Sequence, residues 1–181
     1  SIESPCEASA ANAFASDGGV DCIAVGLGGS AFPLTGRQPG WDTQSYGYHS
    51  DDGNIFHGSG TRSQSFGPRF GVGDVVGCGL ALHTRQLFFT LNGAFLGTAF
   101  TLPKSAALPL YPVVGLDSHA SVHFNFGQRP FSYDVATLPA QVAERNGGAK
   151  QRTSPSLPTP WNAASPAARV LRSLAAVFGR H

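Results

Sequence analysis

The residues call for an all-β chain, antiparallel strands closed as a sandwich or barrel, and three observations carry that expectation. Short β-branched and apolar runs recur between residues 20 and 126 with no amphipathic helix between them, which argues against the βαβ alternation of a parallel sheet. Asn92-Gly93 stands between the apolar runs QLFFTL and AFLGTAF and offers the positive φ angles that a two-residue hairpin turn needs. Gly 23 and Pro 13 among 181 residues supply the tight turns that such a chain uses.

The strands follow in order. VDCIAVGL, from Val20, is a β-branched and apolar run closed by glycines, the pattern of a buried strand. DVVGCGLAL, at 74 to 82, puts Val76, Cys78, Leu80 and Leu82 on one face by alternation. Gly77 and Gly79 fall on the other face, where another backbone can come close. The Asn92-Gly93 hairpin comes next, and LYPVVGL and SVHFNFG add two strands. In the second of these Val122, Phe124 and Phe126 share one face, and His123 and Asn125 the other.

Around this block, 20–134, lie three other regions. Residues 1–19 are small and polar without sustained periodicity and read as a weakly ordered leader. Residues 135–165, rich in Pro, Ser and Gly, bury too little to fold and read as a linker. Residues 166–179 predict a short amphipathic helix: Ser165 is a good N-cap and Pro166 fits the first helical position. Val170, Leu171, Leu174, Val177 and Phe178 then form one stripe before Gly179. So short a helix needs a surface, its own sandwich or a partner's groove, and the stripe is a candidate tail contact.

Charge separates the regions. Residues 1–134 hold six Lys/Arg against ten Asp/Glu, and residues 135–181 hold six against one. An acidic core without a basic-aromatic pattern argues against nucleic acid as partner. Cys6, Cys22 and Cys78 are odd in number and lack C-x-x-C spacing, which speaks against a disulfide framework and the usual zinc site, and mildly for a reducing, intracellular compartment. The expected setting is the cytoplasm, with cilium or cytoskeleton as further options. No run of about 18 apolar residues spans a membrane.

Several motifs invite chemistry. GLGGSA, Gly26 to Ala31, matches a dinucleotide fingerprint, but FPLTGRQPGW follows, and its prolines and glycines prevent the helix that the fingerprint requires. His119 and His123 have a helical metal spacing on what reads as a strand, with no carboxylate or cysteine suitably near. In PGWDTQSYGYHSDDG, 39 to 53, Asp51 and Asp52 beside His49 and His57 suggest acid–base work, yet adjacent aspartates point apart and Asp-Asp-Gly is good turn chemistry. No G-x-S-x-G is present. The expectation is a chain with no catalytic residues, no metal and no cofactor.

The ordered blocks IAVGL, PGWDTQSYGYHSDDG, SFGPRFGVGDVVGCGL, FFTLNGAFLGTAF, LYPVVGL and VHFNFG resemble the SPRY domain, and most closely that of RanBPM-like proteins. The resemblance covers about residues 20 to 132. It implies a bent β-sandwich of two antiparallel sheets without catalytic activity, whose loops on one face bind a protein or short peptide. By position, the binding face would use Gly28, Gly29, Ser30, Arg37, Phe56, His57, Asp117, Ser118 and His119. Trp41, Tyr46, Tyr48, Gly53, Gly67, Pro68, Asp74, Asn92 and Gly93 would be framework. The chain departs from the family where an aromatic strand of the type YYFEV should precede IAVGL. An unpaired sheet edge there would want cover. Two functions follow as expectations: an interaction module, or a structural subunit of a large assembly, ciliary or ubiquitin-ligase, held by neighbouring chains.

Overall fold

The computed structural model describes residues 22–117, 121–139 and 142, together with the backbone of 170–179. Among the described residues, ten strands build two sheets: β1 (Cys22–Gly28), β2 (Ser45–His49), β3 (Asn54–His57), β4 (Ser63–Ser65), β5 (Val75–Ala81), β6 (Gln86–Leu91), β7 (Ala94–Thr101), β8 (Tyr111–Asp117), β9 (Ser121–Asn125) and β10 (Val170–Gly179). Sheet A has the order β4-β3-β2-β1-β8, and sheet B the order β7-β6-β5-β10-β9. Every neighbouring pair is antiparallel. The two-sheet all-β architecture expected from the sequence is therefore present.

Alternation explains the core. Ile23, Val25 and Leu27 of β1, Tyr46 and Tyr48 of β2 and Ile55 of β3 meet Val76, Cys78 and Leu80 of β5 and Leu87 and Phe89 of β6. Leu82, expected on the inner face, lies beyond the end of β5 and is partly exposed. Tyr48 sits at the centre of an aromatic cluster, with ring centroids 4.9 Å from Phe70 and 5.3 Å from Phe89, and its hydroxyl donates to the Pro68 carbonyl.

The hairpin at Asn92-Gly93 has φ values of 50° and 79°, as its sequence requires. Asn92 also ties the turn to the start of β5: its Oδ1 accepts from Val75 N–H at 2.8 Å and its Nδ2 donates to Asp74 Oδ1 at 2.8 Å. The Asp51-Asp52-Gly53 segment is a turn, with Gly53 at φ 73° and Asp52 Oδ1 accepting from Asn54 N–H at 2.8 Å. Gly79 opens the outer face of sheet B as expected, but to the ring of Phe88 rather than to a backbone. A Cβ there would stand 2.3 Å from Phe88 Cζ.

The expected C-terminal helix is corrected. Residues 170–179 run as β10, between β5 and β9, with one extra residue accommodated between Leu171 and Leu174. A helix of that length is marginal by itself, whereas an interior strand satisfies backbone groups on both sides. Val170, Val177 and Phe178 suit a strand as readily as a helical stripe. The proposed leader, Ser118–Ala120 and most of the linker 135–165 lie outside the described residues, and the described start of that linker is corrected: it turns at Val135–Thr137 and buries Leu138 and Val142 against Ala81 and Phe88.

Candidate functional site

Loop 29–44 decides the shape of one face. It leaves β1 through a turn, in which Gly29 N–H donates to Gln44 O at 2.8 Å and Phe32 N–H to Gly29 O at 3.0 Å. No helix follows GLGGSA, so that motif lacks its phosphate-binding context. The loop then folds back across the outer face of sheet A, where glycines give it room. A Cβ on Gly47 would stand 2.0 Å from Pro39 O, and one on Gly115 would stand 1.7 Å from Gln38 Oε1.

Polar groups fix the loop in that position. His49 Nε2–H donates to Pro39 O at 2.8 Å, and Gly40 N–H donates to Ser45 Oγ at 2.8 Å. Ser45 Oγ–H in turn donates to Asp42 Oδ1 at 2.9 Å. Burial lowers the His49 pKa from its ordinary value, against the opposing pull of the Pro39 hydrogen bond and of Asp51 and Asp52. The ring is therefore neutral at pH 7, with its proton on the nitrogen that meets the carbonyl.

Between this loop, β8 and the end of β9 lies a concavity of about 800 Å³, lined among others by Leu34, Arg37, Gln38, Trp41, Leu116 and Asp117, with Phe124 and Phe126 at its side. Leu34 is 88% and Phe126 61% exposed, and Trp41, Leu116 and Phe124 are exposed too. Phe124 and Phe126 stack with centroids 5.8 Å apart and planes 3° from parallel. Asn125 presents them by closing the following turn, its Oδ1 accepting from Gly127 N–H at 3.1 Å and Arg129 N–H at 3.2 Å. Gln38 is 9% exposed, and its Oε1, turned to Gly115, is a buried acceptor with no hydrogen-bond partner among the described residues.

The structure distributes the sequence-nominated residues unevenly. Arg37 and Asp117 both line the concavity. Gly28, Gly29 and Ser30 stand at the other end of β1, since Cys22 pairs with Asp117 and Gly28 with Tyr111. Six strand steps separate those ends by about 20 Å. Phe56 is 8% exposed, its ring stacked on His49 at 4.1 Å, so it supports the loop from beneath. His57 stacks on Tyr46 at 4.1 Å, and its Nδ1 bonds Ser45 O at 2.8 Å. Ser118 and His119 lie outside the described residues, and the side chains of the tail stripe are likewise not described. Leu34, Leu116, Phe124 and Phe126 were not nominated. Their signal was apolar side chains in a Pro/Gly-rich loop and at a strand end, where a buried role has no place.

A family model described as SPRY domain matches residues 15–129. The chain belongs to the SPRY domain family. This SPRY domain is 49% identical over 114 residues to Ran-binding protein 10 of Danio rerio, covering 61% of this chain and 18% of the relative. It is also 49% identical over 114 residues to human Ran-binding protein 9, covering 61% of this chain and 15% of the relative. The Ran-binding protein M homolog of Arabidopsis thaliana is 38% identical over 135 residues, 74% of this chain and 27% of its own length. The aligned part thus spans less than a third of each of these relatives. A solved human SPRY domain superposes on 51% of this chain and 58% of its own with a TM-score of 0.43 and 36% identity. Among the described residues, no helix is long and apolar enough to cross a membrane.

Proposed function

We propose that this domain is a non-enzymatic interaction module that seats a segment of a partner protein in the concavity between loop 29–44 and β8. One observation carries the reading: exposed Leu34, Trp41, Leu116, Phe124 and Phe126 converge on one hollow whose lining also holds Arg37 and Asp117. An apolar hollow with a few placed polar groups is the usual form of a recognition pocket. A large apolar residue flanked by opposite charges, facing Arg37 and Asp117, is the partner chemistry that fits.

The test is affinity capture from the native source followed by mass spectrometry, comparing the wild-type chain with Leu34→Asp/Phe126→Asp. Both side chains are exposed, so the melting temperature should hold while the specific partners disappear. An unchanged set of captured proteins would remove the hollow from consideration.

A further inference from the structure

One end of the outer face of sheet A gathers a thiol, an imidazole and a carboxylate, Cys22, His49 and Asp51, that do not line the hollow. The β1–β2 ladder ends at Ala24 and His49, and the turn that follows β2 brings Asp51 against Cys22. On its other side Cys22 pairs with Asp117 of β8. Directly opposed residues of antiparallel strands share a face, so Asp117 flanks Cys22 on one side while the turn sets Asp51 on the other, with His49 nearby. Cys22 Sγ lies 3.4 Å from Asp51 Oδ1 and 3.8 Å from His49 Nδ1. No two of the three ligand atoms are more than 4.8 Å apart.

These distances suit a tetrahedral ion. With Zn–S of about 2.3 Å and Zn–N or Zn–O of about 2.0–2.1 Å, tetrahedral angles place sulfur about 3.6 Å from each lighter ligand atom. The two sulfur distances bracket that value, and the Asp51 carboxylate, half-buried on its turn, has rotational freedom to close the remaining edge.

His49 is already oriented as a ligand. Its Nε2–H is committed to Pro39 O at 2.8 Å, a backbone carbonyl outside the cluster, which leaves the Nδ1 lone pair turned toward Cys22 Sγ. Fixing the tautomer through the other ring nitrogen is how metal-binding histidines are set.

We propose that Cys22, His49 and Asp51 form a binding site for zinc or a similar borderline dication, with Asp117 or water in the fourth position. Mixed sulfur, nitrogen and carboxylate donors at tetrahedral spacing favour zinc over the all-oxygen cations. On loading, the Cys22 S–H bond breaks, an S–metal bond forms and the proton passes to solvent, so affinity rises with pH. Without metal, burial first, and then Asp51, Asp52 and Asp117, push the thiol up to about 12. A dication offsets both causes, since it supplies the charge that the buried thiolate and the acidic surroundings lack. The bound ion would join the Asp-Asp-Gly turn to the first residue of β1 beside the hollow.

The experiment is titration of the reduced, chelator-stripped 181-residue chain with Co²⁺, then Zn²⁺, read by absorption. A single tetrahedral cobalt site with a thiolate-to-cobalt charge-transfer band, displaced by Zn²⁺, is expected. Cys22→Ser should abolish that band, and Asp51→Asn should weaken affinity by more than about tenfold, the lower end of what losing even an outer-shell partner costs. Metal-free Cys22→Ser should keep the wild-type circular dichroism, which separates ligand loss from unfolding. No charge-transfer band in the wild type, or a band that survives Cys22→Ser, would overturn the assignment. In the latter case Cys6 or Cys78 is the ligand.

Discussion

Sheet A and sheet B have similar inner faces but are completed in different ways. Sheet A is built from residues 22–65 plus β8, and its outer face is covered by its own loop, with Pro39 lying on Gly47. Sheet B takes its fourth strand, β10, from far along the chain, and Leu138 and Val142 cover Ala81 and Phe88 on its outer face. Both sheets recruit a strand from far along the chain, β8 beside β1 and β10 beside β5, but their outer faces are covered by different segments. Sheet A carries the loop side of the hollow, and β9 of sheet B, paired through β10, places Phe124 at its far side, so the two covers should respond to different residues.

The largest effect should follow deletion of residues 160–181. It leaves β5 and β9 without the strand that joins them. At roughly 0.5–1.5 kcal/mol for each backbone hydrogen bond lost, the total approaches the whole stability of a small domain. Urea unfolding should lose its cooperative transition. An unchanged midpoint would show that sheet B does not depend on β10, and the contrast would collapse.

Smaller effects sharpen the contrast. Gly47→Ala drives a Cβ against the Pro39 carbonyl, which is backbone and cannot swing away. Gly79→Ala meets the Phe88 ring. The first should cost more than the second, with about 1–3 kcal/mol typical of overpacking, and the first alone should disturb partner capture. Equal losses in thermal unfolding would show the two covers to be equivalent. Next comes Tyr48→Phe, which removes the hydroxyl that donates to Pro68 O and should lower stability by about 1 kcal/mol.

The smallest effect is a pH dependence local to sheet A. The folded-state pKa of His49 is depressed by burial below its ordinary 6.5, so the unfolded chain takes up the proton first as pH falls. Its contribution is complete above pH 6.5 and declines as the pH drops from there toward the folded-state value. His49→Gln, which keeps a donor for Pro39, should flatten that part of the stability–pH curve. A curve of unchanged slope would move the titration elsewhere.

The features legible in the sequence are those that a few neighbouring residues dictate. Asn92-Gly93 specified its hairpin through φ, and alternation put Val76, Cys78 and Leu80 inside. In PGWDTQSYGYHSDDG, Tyr46 and Tyr48 are buried and Asp51-Asp52-Gly53 turns, as framework would, whereas Trp41, expected as framework too, is exposed on the hollow. β10 was not legible, because Val170 to Phe178 satisfies helical and extended patterns alike and the choice rests on β5 and β9 some ninety and fifty residues away. The hollow was half legible: Arg37 and Asp117 were named, while Phe124 and Phe126 looked like part of a strand face. The grouping of Cys22 with His49 and Asp51 depends on the β1–β2 register, which no local pattern reports.

The loop seated on Gly47 and Gly115 is held mainly by what its backbone does, through Pro39 O and Gly40 N–H. The residues that face outward, Leu34 and Arg37, are separate from those that anchor. Under the proposed function, substitutions among residues 30–37 would change what is recognised without unseating the loop. Copies of such a domain would then diverge in partner while the sheet beneath stays fixed, and a library confined to those eight positions would sample that divergence.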